Sequence, residues 1–224
     1  MEEIYTRTLN LIGHESFTKI KNTKILIVGV GGVGSYAAEA VARMGFGEIT
    51  LMDGDDVNKS NINRQIVALH STMGRNKAEV MCERIKDINP DIKVKALPFY
   101  YTVEGNIRLE EYDWIIDAID SVEAKTALIC NAKKLDINIV SSMGAAGKFH
   151  TEFIVSDIYS TSVCPLAKVM RKRLKEAGIK ELPVVYSREK PMPRKGDLGT
   201  VSYVPGSLGL EIAGYVIRCI IDIY

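Results

Sequence analysis

The sequence has few cysteines and lacks the close cysteine pairs that hold structural zinc. The 224-residue chain contains only four, and no C-x-x-C motif occurs among them: Cys82, Cys130, Cys164 and Cys219. Their wide spacing argues against a zinc site and against a disulfide scaffold. We therefore expect a reducing, cytoplasmic setting. Cys164 precedes Pro165 at the start of a predicted helix, where a thiol is either reactive or simply buried.

The sequence also lacks a dominant charge and a long uninterrupted apolar run. Lys and Arg number 29 and Asp and Glu 28, so net charge points to no class of partner. The most apolar stretch, LGLEIAGYVIRCIIDIY, is interrupted by Glu211, Arg218 and Asp222. It predicts an amphipathic helix that closes the fold, and we expect no membrane span. Glu2 and Glu3 make the N-terminus unlike a signal peptide.

Apolar segments with strand character alternate with segments of helical spacing over the first two thirds of the chain. We predict strands at 24–28, 49–52, 92–97, 114–118 and 137–141, and helices at 32–44, 77–88 and 122–134. This alternation is typical of the α/β class, with right-handed crossovers joining parallel strands. The prediction is a Rossmann-like, mostly parallel sheet flanked by helices, in one domain that covers residues 1–224.

The pattern changes after about Gly147, which predicts a mixed or antiparallel C-terminal part. Residues 149–158 look extended, and a helix is expected at 165–177 with Pro165 in its first turn. Residues 183–206 hold four of the seven prolines and three glycines, so we predict a flexible loop there, with a short strand at 200–204. Residues 1–22 are expected to form an N-terminal helix or arm.

The stretch KILIVGVGGVGSYAAEAVARMG, residues 24–45, is typical of a phosphate-binding turn between a strand and a helix. Its glycines let the backbone approach a phosphate, and the helix N-terminus supplies N–H donors. The glycines concerned are Gly29, Gly31, Gly32 and Gly34. Asp53 follows at the end of the next strand, where a carboxylate can accept hydrogen bonds from ribose hydroxyls. This turn suits NAD and ATP about equally.

The polar residues after Asp53 favour a triphosphate. The run D-x-D-D-V-x-x-x-N-x-N-R-Q brings Asp55, Asn61 and Arg64 into one loop, and Lys77 begins the next helix. A guanidinium binds phosphate through two hydrogen bonds, and a lysine adds a point charge. An NAD-dependent oxidoreductase would leave these cations unused.

Two further aspartates stand at the end of the fourth strand. Asp120 follows that strand, where a carboxylate can hold Mg²⁺ against phosphate oxygens. Asp117 lies inside the apolar run, so it has either a buried structural role or a ligand role. Asp120 is therefore the metal candidate, and we predict that the catalytic residues are Arg64, Lys77 and Asp120.

These motifs together resemble the ThiF/MoeB/HesA group of the ubiquitin-activating-enzyme superfamily. They are GxGGVGS, the run that begins at Asp53, GxxKAE and DAID, and they occur in this order within a resemblance that covers nearly the whole chain. The resemblance implies adenylation of a carboxylate with ATP and Mg²⁺. It implies that Asp53 holds the ribose, that Asn61, Arg64 and Lys77 hold the phosphates, and that Asp120 holds magnesium.

The resemblance also implies a homodimer. Arg7, in the short motif YTR, is similar to an arginine that reaches the ATP phosphates of the other protomer in dimeric relatives. The alternative for Arg7 is a solvated surface position.

Within the superfamily, the chain looks most like the tRNA threonylcarbamoyladenosine dehydratase branch. NRQIVAL, DAIDSVEAKTALI, PLAKVMRKRLK and GTVSYVPGS carry this similarity. The branch activates the carboxylate of the threonylcarbamoyl group on adenosine 37 of tRNA, which then cyclises and expels AMP. Such chemistry needs neither the paired zinc cysteines nor the separate cysteine domain of other branches, and neither is present here.

Three alternatives stay open. An adenylyltransferase that activates the C-terminus of a small sulfur-carrier, ubiquitin-like protein would use the same first step on a protein substrate. An NAD-dependent oxidoreductase or a non-catalytic binding module would use the glycine turn differently. A sulfur-transfer protein is a further partner that the resemblance allows.

Positive charge is concentrated in residues 165–195. This stretch has ten Lys or Arg against three Glu, a net charge of +7; since the chain is +1, the other 193 residues carry −6. A basic helix and loop favour contact with the phosphate backbone of RNA. The predicted tRNA contacts are Lys168, Arg171, Lys172 and Lys175, and the alternative is a solvated helix face.

Overall fold

The computed structural model describes residues 3–192 and 199–223. Within these ranges the strands are β1 Lys24–Val28, β2 Glu48–Met52, β3 Lys93–Leu97, β4 Trp114–Asp117, β5 Asn138–Ser142, β6 Ile154–Asp157 and β7 Pro183–Tyr186. The helices are α1 Thr6–Asn22, α2 Gly34–Met44, α3 Lys77–Ile88, α4 Val122–Lys134, α5 Pro165–Glu176 and α6 Tyr203–Ile220. The predicted elements of the first two thirds are all present, with ends that differ by one or two residues.

The seven strands form one sheet in the order β3-β2-β1-β4-β5-β7-β6. Neighbouring strands are parallel except β6 and β7, which are antiparallel. The predicted α/β class with a mixed C-terminal part is therefore confirmed. The chain order of the strands reverses beside β1, which pairs with β2 on one side and β4 on the other. In open α/β sheets, ligands bind at the carboxyl ends of strands at such a point.

Helices cover both faces of the sheet, and β1 shows why. Its alternate residues enter different cores: Ile25 and Ile27 pack with the residues of α2, α3 and α6, whereas Leu26 and Val28 pack with those of α4 and α5. A strand that is buried on both faces reads as a continuous apolar run, as KILIV does. The two cores hold the carboxyl edge of the sheet in place.

The predicted loop at 183–206 is only partly a loop. Residues Pro183–Tyr186 form β7, because the apolar run PVVY is buried between β5 and β6. Pro183 is the first residue of this strand, a position that does not need its N–H. The predicted short strand at 200–204 was wrong: α6 already begins at Tyr203. Residues 193–198 lie outside the described ranges.

The N-terminal segment is helical, as predicted, and α1 consists of two helical segments that meet at Gly13. Gly13 interrupts it with φ 76° and ψ 166°. This conformation is open to glycine and costly for other residues, so the helix bends there. None of the helices among the described residues combines the length and the apolar character needed to cross a membrane.

Candidate active site

A cavity of about 440 Å³ opens at the carboxyl ends of β1, β2 and β4. We call it the main cavity. Its lining combines the glycine turn with acidic and basic side chains from three loops: Gly29, Gly31, Gly32, Asp53, Asp55, Arg64, Lys77 and Asp120. Its volume lies within the range of about 300–1,000 Å³ that is typical of small-ligand sites. The edge of the sheet at which the strand order reverses thus brings together most of the predicted site residues.

The glycine turn has two positions where no side chain fits. Gly29 has a φ of +90°, and a Cβ on it would lie 2.6 Å from the carbonyl oxygen of Ala118. A Cβ on Gly34 would lie 1.7 Å from the carbonyl oxygen of Gly29. Gly34 is absent from the cavity lining, so its role in the described structure is to let α2 start directly against β1. Gly31 and Gly32 form the part of the turn that faces the cavity.

Asp53 connects the turn to the loop after β2. Its Oδ2 accepts a hydrogen bond from the Val30 amide at 2.6 Å, and its Oδ1 accepts one from the Asp55 amide at 2.8 Å. Burial raises the pKa of the Asp53 carboxyl, while these two backbone donors oppose that rise. Each oxygen keeps a lone pair for another donor. The carboxylate is therefore held in place and still able to accept from a sugar hydroxyl.

Asp55 and Lys77 form an ion pair at the wall of the main cavity. The Lys77 Nζ lies 2.7 Å from Asp55 Oδ2, and the Tyr100 hydroxyl donates to the other carboxylate oxygen. Burial alone would raise the pKa of Asp55, but the hydrogen bonds from Lys77 and Tyr100 outweigh it and hold the pKa below its usual value. The hydrogen bond between Tyr100 and Asp55 also raises the pKa of the Tyr100 hydroxyl to about 12.

Sequence reasoning missed Tyr100. It lies in the short aromatic run Phe99, Tyr100 and Tyr101 after β3, and all three residues line the main cavity. The signal was available, since these aromatics follow the carboxyl end of a parallel strand.

Arg64 lines the main cavity, half-buried. Its guanidinium donates to the Ser60 carbonyl at 2.8 Å and to Asn63 Oδ1 at 2.9 Å, both through the same nitrogen. The other nitrogens of the fork are left for a phosphate.

Asn61, by contrast, does not line this cavity. It is buried, and its Oδ1 accepts a hydrogen bond from the Asn58 amide at 2.9 Å, which stabilises the turn that carries Arg64. Its amide oxygen is therefore used inside the loop, and the phosphate contact predicted for Asn61 stays a prediction. Gln65, which follows Arg64, does line the cavity, and its buried Oε1 has no hydrogen-bond partner among the described residues.

The two aspartates after β4 have different surroundings. Asp117 is fully buried: its Oδ2 accepts from Lys125 Nζ at 2.8 Å and from Ser141 Oγ at 2.6 Å, and its Oδ1 accepts from the Ile119 amide. Its role is structural. Asp120 is exposed and lines the main cavity.

Asp120 stands without a set of neighbouring ligands. No group of three His, Cys, Asp or Glu side chains within residues 3–192 and 199–223 is arranged to hold a metal. One carboxylate together with substrate phosphates is the usual arrangement for Mg²⁺ in nucleotide sites. The described donors therefore fit Mg²⁺ brought with a nucleotide and do not form a preformed cage.

Arg7 lies apart from the main cavity. It is exposed in the first turns of α1 and is not a lining residue. Within one copy of the chain, the structure does not bring it together with the other predicted site residues.

The predicted tRNA contacts lie on α5. Ala167, Met170 and Leu174 are buried, and this spacing turns Lys168, Lys172 and Lys175 to the exposed side. Arg171 differs from the three lysines. Its guanidinium donates to the Thr161 carbonyl at 2.9 Å and to the Thr161 hydroxyl, so it fastens α5 to the preceding loop. Of the other basic residues in the stretch, Arg194 and Lys195 lie outside the described residues.

The ThiF family profile matches residues 5–223. The chain belongs to the ThiF family. The tRNA threonylcarbamoyladenosine dehydratase of Bacillus subtilis is 40% identical to it, over 95% of this chain and 92% of that protein. The crystal structure of the Escherichia coli enzyme of the same name in complex with AMP superposes with a TM-score of 0.93 at 35% identity, covering 99% of this chain and 95% of that one. The structure of the E. coli enzyme in complex with ATP gives a TM-score of 0.92.

No cysteine of this ThiF-family chain lines the main cavity within the described residues. Cys164 is buried, with 2% of its surface exposed, at the residue before α5. No disulfide joins the four cysteines. The described site therefore offers positioned charges and backbone donors but no thiol nucleophile.

Proposed function

We propose that this protein is an ATP-dependent dehydratase that adenylates the carboxylate of N6-threonylcarbamoyladenosine 37 in tRNA and releases the cyclised product. The observation that carries the proposal is the composition of the main cavity. A glycine turn, the held carboxylate of Asp53 and the two cations Arg64 and Lys77 surround it, and no thiol lines its described part. The similarity to dehydratases over nearly the whole chain supports the choice of substrate.

The chemistry follows from positioned charges. An oxygen of the substrate carboxylate attacks the α-phosphorus of ATP, the bond to the bridging oxygen breaks, and pyrophosphate leaves. Arg64 and Lys77 stabilise the negative charge that builds up on the phosphates. Lys77 exchanges Asp55 for phosphate in this step. A nucleophile within the substrate side chain then attacks the activated carbonyl carbon, the bond to phosphate breaks and AMP leaves, so one water is lost overall.

Mg²⁺ belongs to this proposal, with Asp120 as its protein ligand. When bound, it would neutralise phosphate charge. Asp53 holds the ribose, and the backbone of Gly31 and Gly32 approaches the phosphates.

The homodimer is also part of the proposal, with Arg7 reaching the main cavity of the other protomer. Its exposure on α1 supports this, because within one copy it has no contact with the cavity. A cytoplasmic setting is supported by the lack of disulfides. A sulfur-transfer partner stays a prediction to which no residue of the cavity is assigned.

Mass spectrometry of tRNA nucleosides tests the reaction directly. Modified tRNA incubated with the protein, ATP and Mg²⁺ should lose the mass of one water from threonylcarbamoyladenosine, and omission of ATP should abolish the change. An unchanged nucleoside, together with pyrophosphate exchange stimulated by a peptide that ends in Gly-Gly, would instead identify a sulfur-carrier adenylyltransferase. Thermal stabilisation by NAD but not by ATP would identify an oxidoreductase.

Two substitutions test the assigned charges. We expect Arg64→Ala and Asp120→Ala each to lower ATP-dependent activity roughly 100-fold or more. Both variants should still fold, because the two side chains face the cavity rather than the core. Turnover and thermal melting would be measured together. Full activity of the Asp120 variant would remove its role in binding Mg²⁺.

The basic face of α5 is tested by its salt dependence. Lys172→Glu combined with Lys175→Glu should weaken tRNA binding and lower the slope of log K against log salt by about one to two, since each lost phosphate contact contributes about 0.7–0.9. Lys93→Glu with Lys95→Glu, on the far edge strand β3, makes the same charge change and should leave the slope nearly unchanged. An equal effect of both pairs would show that overall charge, rather than α5, governs binding.

A further inference from the structure

Three lysines of the described chain are almost completely buried, and one of them differs from the others. Lys77 pairs with Asp55, and Lys125 pairs with Asp117. Lys148, with 2% of its surface exposed, has a single hydrogen bond among the described residues, from its Nζ to the Ser187 carbonyl at 3.3 Å. A buried ammonium with one long hydrogen bond is costly unless something else binds it.

The groups near Lys148 do not supply that partner. The Glu189 carboxylate attracts Lys148 electrostatically, but no hydrogen bond or salt bridge joins the two side chains among the described residues, and the Glu189 oxygens accept instead from the amides of Phe149 and His150 at 2.9–3.2 Å. The thiol of Cys164 also interacts with Lys148. Burial nevertheless dominates and lowers the pKa of the Lys148 amine. The ammonium therefore lacks a matched counter-ion within the described structure.

Lys148 lines a second cavity, of about 210 Å³, which we call the side cavity. The other lining residues are Gly147, Phe149, Met192, Gly199, Thr200 and Val201. Lys148 carries the only ionisable side chain in this described lining. A pocket whose described lining is neutral apart from one buried cation favours a small anionic guest, because the guest supplies a counter-ion.

The side cavity adjoins the main cavity. Thr200 lines both, and Ala145 and Ala146 of the main cavity continue along the chain into Gly147 and Lys148. The loop after β5 thus leads from the proposed ATP site to the buried lysine. The side cavity has about half the volume of the main cavity and lies below the range of about 300–1,000 Å³ that is typical of small-ligand sites, so it suits a small side chain rather than a nucleotide.

We infer that the side cavity binds the carboxylate-bearing side chain of the substrate, and that the Lys148 ammonium pairs with this carboxylate beside the nucleotide. The inference rests on the proposed function, since it concerns the group to be adenylated. It assigns Lys148 to substrate binding, separate from the phosphate-binding role of Arg64 and Lys77.

The first test compares the Lys148→Met variant with the wild-type protein in an assay with modified tRNA and ATP·Mg²⁺. Methionine keeps much of the length and removes a buried charge that has no ion-pair partner among the described residues, so the variant should melt at or above the wild-type temperature. We expect kcat/KM for modified tRNA to fall by roughly ten- to a hundredfold, as for a lost hydrogen bond to a charged group, while the dissociation constant of ATP changes less than about twofold. Lys95→Met, an exposed lysine on β3, is the matched control and should behave as wild type.

Gly199→Val is the second test and covers the case in which Lys148→Met fails to fold. A Cβ on Gly199 would meet nothing within 4 Å, so added bulk enters open space at the side cavity. It should raise KM for modified tRNA with ATP binding unchanged.

The outcomes separate the two proposals. A wild-type protein that leaves modified tRNA unchanged overturns the proposed function. If the wild type is active and both variants keep the wild-type kcat/KM for tRNA, the inference about the side cavity is overturned. It is also overturned if both variants lose affinity for ATP as much as they lose kcat/KM for tRNA.

Discussion

Two lysine–carboxylate pairs flank the main cavity. Each joins an aspartate at or just after the end of a strand to a lysine on the α-helix that follows. Asp117 ends β4 and pairs with Lys125 on α4, while Asp55 follows β2 and pairs with Lys77 on α3. Both side chains of the first pair are fully buried. In the second pair the lysine side chain is 6% exposed and the aspartate side chain 50% exposed.

The difference in exposure separates a structural pair from one that can exchange partners. Lys125 also donates to Ser141 Oγ and to the Ser142 carbonyl, both at 3.1 Å, so its ammonium is satisfied within the protein. Such complete pairing offsets much of the cost of burying the two charges. Lys77 has one carboxylate partner that faces the cavity, so a phosphate can replace it. The same two residue types therefore form a closed structural pair in one place and a pair open to the cavity in the other.

The largest effect should come from breaking the buried pair. Asp117→Asn removes the charge opposite Lys125 and leaves an uncompensated ammonium in the core, which should cost about 3–5 kcal/mol of unfolding free energy. Asp55→Asn is the matched change in the open pair and should cost less than Asp117→Asn, because the half-exposed Asp55 side chain leaves water a route to Lys77. Urea denaturation at pH 7 measures both. Equal losses would show that burial does not distinguish the pairs.

The next effect concerns catalysis. Lys77→Met should lower kcat/KM for ATP by roughly 10²–10³-fold, as expected when a charge on the reacting phosphates is lost. Its effect on unfolding should stay within about 1 kcal/mol, because its partner Asp55 can turn to water. Lys95→Met serves as the control. Retained activity would mean that Lys77, like Lys125, only supports the fold.

The smallest effect should come from Tyr100, the second hydrogen-bond donor to Asp55. Its pKa is raised from the ordinary value of 10.0 to about 12 by that bond. The stabilisation from this bond is therefore fully present below about pH 10 and is lost as pH rises towards 12. Tyr100→Phe should lower the urea midpoint slightly at pH 8, and the difference from wild type should vanish near pH 12. Phenol absorbance during titration measures the pKa, and a wild-type Tyr100 that titrates at 10 would show that the bond is absent.

The local motifs allowed much of the site to be predicted. Gly29, Asp53 and Arg64 were predicted as site residues from the local sequence. This was possible because a tight turn and the end of a strand depend mainly on residues that are close together in the chain. The sequence does not reveal that the amide oxygen of Asn61 accepts a hydrogen bond from the Asn58 amide, because that contact depends on how the loop folds. The strand β7 was missed because it contains a proline and is buried only when β5 and β6 lie beside it.

The sequence by itself determined the α/β class and the presence of a phosphate-binding turn followed by cations. These features follow from periodicity and from residues a few positions apart. Only the tertiary structure decided which of Asp117 and Asp120 faces the cavity, and which buried lysine lacks a counter-ion among the described residues. The physical reason is that burial and pairing depend on groups far apart in the chain: Ser141, 24 residues from Asp117, supplies one of its donors, and Ser187, 39 residues from Lys148, supplies its acceptor.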